Sequence, residues 1–151
     1  MKYFIHPTSI LDKNIKIGSN TKIWHWCHLS KDVVIGKNCT FGQNIFIGEG
    51  VKIGNNVKIQ NNVSIFKGVI IENDVFIGPS VVFTNVIIPR SFINQKKNFK
   101  KTIIKKGSTI GANSTIICGN NIGKYSFIGA GSLLTKSIED NEIGFGIPYK
   151  K

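Results

Sequence analysis

The sequence predicts an all-β fold, a parallel solenoid of short strands wound into six to seven coils with one extruded loop. Three observations predict it. An apolar residue falls at every sixth position from Ile5 to Phe83 without a miss, and a second run in a new phase takes Ile104, Ile110, Ile116, Ile122, Ile128 and Leu134. Two residues before most of these markers stands a small or β-branched residue, as at Thr21, Cys27, Val33, Val51, Val75, Ser108 and Ser126. Glycine follows many markers, as at Gly18, Gly36, Gly78 and Gly111. A period of six is neither the 3.6 of a helix nor the alternation of a hairpin, and self-similarity at a fixed period decides architecture before local propensity does.

Each hexad reads as one face of a coil. Residues i and i−2 of a strand point the same way, so the marker and the small residue before it both face inward. The glycine after the marker is expected to serve a corner that needs positive φ. Three faces close a triangular coil of about 18 residues, and stacked coils pair at roughly 4.8 Å. The two runs of markers, fourteen and six, give the six to seven coils.

From Phe83 to Ile104 is 21 residues, three more than a whole coil, so a segment must leave the solenoid. Residues 89–102 are expected to form that loop. It is basic and carries Phe92 and Phe99, and long excursions from a rigid scaffold usually carry function. Arg90, the only arginine in the chain, opens it; a planar bidentate donor there suits a phosphate or carboxylate. The chain reads as one domain over residues 1–151, ending in a short tail at 139–151.

Composition narrows the partners. Twenty basic against 8 acidic residues give a net charge of +12, which favours an anionic partner. Nucleic acid is not expected, because the lysines are scattered over many coils without a clustered stacking platform. No apolar run approaches a membrane span, and the first residues are too short for the core of a signal peptide, so the expectation is a cytoplasmic protein. The three cysteines show no metal or redox spacing; Cys27 and Cys39 sit at inward positions, whereas Cys118, two after Ile116, is expected to point outward.

Residues 18 apart stack into columns. One runs His25, Gln43, Asn61 and the next Trp26, Asn44, Asn62. Such amides suit sugar hydroxyls and a nucleobase, and they equally suit ladders that hold a solenoid together. Asn85, two after Phe83, points outward above Lys67, Glu49 and Lys31.

The repeat resembles the hexapeptide-repeat acyltransferase family, and the resemblance covers nearly the whole chain. The stretches IWHWCH, GQNIFIG, IQNNVSI and IGPSVVFTNVIIPRS resemble nucleotide-sugar N-acetyltransferases acting on 3-amino sugars, the UDP-2-acetamido-3-amino-2,3-dideoxy-glucuronate type in particular. The resemblance implies a left-handed β-helix and transfer of acetyl from acetyl-CoA, with no metal, to the amine of a nucleotide-linked amino sugar for surface polysaccharide or glycan assembly. It implies that Asn85 holds the reacting amine. His25, Gln43, Asn44, Asn61, Asn62 and Arg90 are then candidates for substrate binding. GSTIGANSTI and IGAGSLLTKS resemble the family's coenzyme A coils, which makes Gly111, Ala112, Gly129, Ala130, Lys105, Lys106 and Lys136 candidates for the acetyl donor. The family also implies a homotrimer with active sites between subunits, the loop reaching over a neighbour; outward Trp24, Trp26, Phe46 and Phe66 would be covered there.

O-acetylating relatives place a histidine near where Asn85 stands. A hydroxyl needs a general base, whereas an amine with a pKa of about 8 is partly neutral at working pH and attacks unaided. An asparagine orients the amine and takes no proton, so the chain reads as an N-acetyltransferase. Two alternatives remain at this point: a γ-carbonic anhydrase-like metalloenzyme, for which His6, His25 and His28 would have to converge between subunits, and a non-catalytic polyanion-binding solenoid.

Overall fold

The computed structural model describes residues 2–151. Among them every named element is a strand, two or three residues long, and all ladders between strands are parallel. The first face of the prism stacks eight strands, from Phe4–Ile5 through Lys22–Ile23, Thr40–Phe41, Lys58–Ile59, Phe76–Ile77, Thr109–Ile110 and Phe127–Ile128 to Ile143–Gly144. The second face stacks seven, from Ile10–Leu11 to Leu133–Leu134, and the third five, from Lys16–Ile17 to Thr102–Ile104. Isolated parallel bridges from Ile104 to Ile122 and from Ile122 to Ile138 continue the third face. Ile143–Gly144 pairs with Phe127–Ile128 as a closing strand, so the hexad count stops one strand short and the expected tail from 139 is still solenoid.

The hexad markers are the core. Ile23, Leu29, Phe41, Ile59, Ile77, Phe83, Ile110 and Ile128 are fully buried, with the small residues two before them packed alongside. Where that residue is polar, its hydroxyl is satisfied on a corner carbonyl: Thr21 Oγ1 donates to Gly36 O at 2.8 Å, and Ser126 Oγ to Gly123 O at 2.7 Å. A buried hydroxyl without such a partner would cost stability.

The corners correct one expectation. Left-handed backbone falls three residues after the marker, at Asn20, Asn38, Asn56, Asp74, Gly107 and Gly131 among others, and not at the glycine one after it. Asparagine tolerates that region because its short amide bonds locally. Here it bonds along the stack: Asn20 Nδ2 donates to Asn38, Asn38 to Asn56, and Asn56 to the Asp74 carboxylate at 2.9 Å. The glycine after the marker is demanded by the next coil instead. A Cβ on Gly78 would lie 2.6 Å from the backbone nitrogen of Ala112.

The loop begins and ends earlier than its expected bounds of 89–102, since Thr102 already belongs to a strand. Val82 pairs with Thr115, 33 residues on, where other neighbours on that face such as Phe46 and Ser64 are 18 apart, so fifteen residues are inserted. The chain leaves the coil at Asn85 and returns at Lys100, whose N–H donates to Asn85 O at 2.9 Å.

Candidate active site

The registers distribute the candidate residues over three corners. Ile23, Phe41, Ile59, Ile77, Ile110 and Ile128 are paired in succession, so the residues that follow them share the corner between the first and second faces. That corner brings together His25, Gln43, Asn44, Asn61, Asn62, Gly111, Ala112, Gly129 and Ala130. The corner between the second and third faces carries Lys31, Glu49, Lys67, Asn85 and Lys136, with Arg90 on the loop that leaves it. Lys105 and Lys106 turn the remaining corner, after Ile104. Within one chain Asn85 and the amide columns therefore stand at opposite borders of the second face.

On the first corner the amides are partly used by the fold. Asn61 Oδ1 accepts the Gln43 N–H at 2.9 Å, and Asn44 Nδ2 donates to Asn62 Oδ1 at 3.0 Å. Gly111 also has a packing reason, because a Cβ there would lie 2.7 Å from the Gly129 carbonyl carbon. At the N-terminal end of the column sits an aromatic cluster. The rings of His6 and His25 lie with centroids 3.6 Å apart and planes tilted by 30°, and Trp26 lies 5.5 Å from His25. Trp26 is 60% exposed and holds φ +55, a left-handed backbone that bulky side chains seldom adopt. Its N–H is anchored on Thr8 Oγ1 at 3.0 Å. Trp26 stands at the regular left-handed corner position three after its marker, where most other coils place asparagine, aspartate or glycine.

On the second corner Glu49 Oε1 takes Lys67 Nζ at 3.0 Å and Lys31 Nζ at 3.6 Å. The Lys67 hydrogen bond, with the charge of Lys31, holds its carboxyl below the usual range. Above that column Asn85 lines a cavity of about 450 Å³ with Phe66, Thr84, Val86, Ile87, Pro89 and Ile117. The loop beside it exposes Ile87, Ile88 and Phe92, the last 83% accessible, next to Arg90.

Cys118 is 1% exposed although it lies outside the core cluster, so its corner is covered and not open to solvent. The neck of the loop closes over its corner: Cys118 N donates to Thr84 Oγ1 at 2.9 Å, and Gly119 N to Thr102 Oγ1 at 3.1 Å. Thr84, which lines the same cavity as Asn85, escapes the column reading, because across the insertion its partner lies 34 residues away and not one coil away. The lysines of the third corner are ion-paired, Lys105 with Asp140 at 3.5 Å and Lys106 with Asp74 at 3.9 Å. Of the histidines, His28 Nε2 lies 3.3 Å from Asp12 Oδ1, one coil below on the second face. Among the described residues of one chain no three His, Cys, Asp or Glu side chains converge as a metal site, and no helix is long and apolar enough to cross a membrane.

Solenoid, loop and corner residues together define a hexapeptide-type transferase, and the sequence comparisons agree. The family model for bacterial transferase hexapeptide (six repeats) matches residues 14–49, and that for the hexapeptide repeat of succinyl-transferase matches 32–67 and 101–136. The chain is 48% identical, over 97% of its length and 76% of the relative's, to dTDP-3-amino-3,6-dideoxy-alpha-D-galactopyranose 3-N-acetyltransferase of Aneurinibacillus thermoaerophilus. It belongs to the hexapeptide-repeat acyltransferase family. Among solved structures, a variant of the GDP-perosamine N-acetyltransferase of Caulobacter crescentus, in complex with CoA and GDP-perosamine, shares the fold at TM-score 0.69 and 14% identity; the alignment covers 99% of this chain and 56% of that one. A variant of AntD, an N-acyltransferase of Bacillus cereus in complex with dTDP and coenzyme A, shares it at TM-score 0.58 and 24% identity, covering 99% and 81%.

Proposed function

We propose that this chain is an acetyl-CoA-dependent N-acetyltransferase that acylates the amine, at C-3, of a nucleotide-linked amino sugar destined for surface polysaccharide or glycan. The observation that carries the reading is the 48% identity to a 3-N-acetyltransferase, sustained over 97% of the chain. That relative's substrate makes dTDP the proposed carrier and a methyl group the proposed C-6 substituent, two points that the sequence leaves open between dTDP and UDP and between methyl and carboxylate. Arg90 then has a diphosphate rather than a carboxylate to meet.

In this reading Asn85 accepts a hydrogen bond from the neutral amine and aims its lone pair at the thioester carbonyl. The C–N bond forms as the carbonyl becomes a tetrahedral oxyanion, which backbone N–H groups stabilise. Collapse breaks the C–S bond, and the departing thiolate takes the proton that the nitrogen loses. No imidazole is required. His25 serves instead with Trp26, Gln43, Asn44, Asn61 and Asn62 as a binding edge, and the coils of Gly111, Ala112, Gly129 and Ala130 lie against the pantetheine.

The separation of these residues on different corners of one chain supports a homotrimer. The outward positions of the second face are Ile10, His28, Phe46, Ser64, Val82, Thr115 and Leu133, with no lysine, whereas Lys22 and Lys58 stand on the first face and Lys16 and Lys52 on the third. A charge-poor apolar face of this kind is one that a second copy covers. Asn85 of one subunit would then meet the amide edge and coenzyme A coils of its neighbour.

Thiol release from acetyl-CoA, measured against dTDP- and UDP-linked 3-amino and 4-amino sugars, tests the reading. Release with a 3-amino sugar and a product heavier by one acetyl group is expected. Release only with hydroxyl acceptors, or with none of the panel, would remove it.

A further inference from the structure

The geometry points to Thr84 as the positioning residue that aims Asn85, an inference that rests on the catalytic reading of Asn85 given above. Asn85 is the last residue of the coil before fifteen inserted residues, a place where a backbone has few restraints. Three bonds restrain it. Thr84 N donates to Ile116 O at 3.0 Å, and Thr84 Oγ1 accepts the N–H of Cys118 at 2.9 Å, so the residue before Asn85 is pinned to the coil above at two points either side of Ile117. On the other side, Lys100 N donates to Asn85 O at 2.9 Å. Only the Thr84 hydroxyl among these is a side-chain group, and so only it is a choice made by residue type.

The bond is also protected. Cys118 is 1% exposed, so its N–H has little access to water if the Thr84 oxygen is removed. An orphaned buried donor costs free energy, and the corner relieves it by shifting. The residue that moves with Thr84 is Asn85, which lines the same cavity. Reacting groups tolerate little displacement: a shift of about 1 Å can cost a hundredfold in rate.

Thr84→Val, which keeps the shape and loses the oxygen, is expected to lower kcat for the amino-sugar nucleotide about tenfold to a hundredfold, with the KM for acetyl-CoA within about twofold of wild type. Thr84→Ser, which restores the oxygen, is expected to recover most of kcat. In the Asn85→Ala background Thr84→Val should add no further loss, because it acts through Asn85. If Thr84→Val does not fold, Thr84→Ala removes the oxygen without adding bulk and is read the same way. Wild-type kcat in the folded variant, equal losses in the Ser and Val variants, or full additivity with Asn85→Ala would each overturn the role of Thr84. If Asn85→Ala alone keeps wild-type kcat, the catalytic reading of Asn85 fails, and the Thr84 assignment fails with it. Loss in Asn85→Ala with none in Thr84→Val defeats the Thr84 assignment only.

Discussion

Asn85 and Lys100 clasp the neck of the extruded loop: the N–H of Lys100 meets the carbonyl of Asn85 at 2.9 Å, so the chain leaves and re-enters the coil at one point. The insertion is thereby isolated from the solenoid, whose ladder resumes with Val82 beside Thr115 and Phe83 beside Ile116. Asn85 thus belongs to the rigid coil while its neighbours Val86 and Ile87 belong to the loop. A rigid element carrying a side chain at the root of an extruded loop suits a residue that must be held in place.

Asn85→Ala is expected to lower kcat at least about a hundredfold, the usual scale for a lost transition-state contact, with the fold retained. The rate of the wild type should rise with pH through the amine's own pKa of about 8 and then level, without a step belonging to an enzyme imidazole. Steady-state thiol release across pH checks both. His25→Ala abolishing turnover while Asn85→Ala works normally would transfer the chemistry to the histidine.

Trp26→Asn should separate stability from binding. Asparagine accepts the left-handed backbone that Trp26 holds at φ +55, and it would extend the ladder in which Asn44 donates to Asn62. A gain of about 1 kcal/mol in unfolding free energy is expected from the relieved strain, together with a raised KM for the nucleotide sugar. Chemical denaturation and kinetics on the same preparation measure the two; a less stable variant would show that the tryptophan packs better than it strains.

Gly78→Ala should destabilise by about 1–3 kcal/mol, the range for overpacking a close-packed site. The new methyl would stand 2.6 Å from the backbone nitrogen of Ala112, and neither coil has a flexible side chain to yield there. Gly50→Ala is the control: it has open space and φ +69, so only conformational strain applies. Equal melting temperatures for wild type and Gly78→Ala would show that the coils separate more easily than the ladder suggests.

Tyr149 is 3% exposed, and its hydroxyl has no hydrogen-bond partner among the described residues. Burial, with the nearby Glu142 carboxylate adding to it, pushes the phenol up to about 12 from an ordinary value of 10. A folded pKa above the unfolded one means that the contribution is complete below pH 10 and is lost as the pH rises toward 12. Tyr149→Phe removes both the orphaned hydroxyl and that loss. Thermal melts should show the variant equal to or above wild type at pH 7, with its advantage widening beyond pH 10. A wild type more stable at pH 7 by about 1 kcal/mol would reveal a bonded hydroxyl.

The sequence by itself determined the architecture, because a marker every sixth residue specifies which side chains share the core whatever the rest of the chain does. Ile23, Ile59 and Ile128 were legible as buried, and Asn85 as outward at the foot of a loop, from spacing alone. Spacing failed wherever a neighbour was not one coil away. Spacing places Cys118 on an outward position, yet nothing in its own hexad shows that the neck of the loop covers it and that Thr84, across fifteen inserted residues, reaches its N–H. The glycines after the markers were assigned to strained backbone, yet a Cβ on Gly78 would meet the next coil, a contact between residues 34 apart. Only the tertiary structure decided that the coils of Gly111, Ala112, Gly129 and Ala130 continue the corner of His25, Gln43 and Asn61, because the insertion separates the two runs of markers. Position within a coil is a local property and is written in the period; which corner faces which, and what covers it, depends on stacking that the insertion puts out of phase.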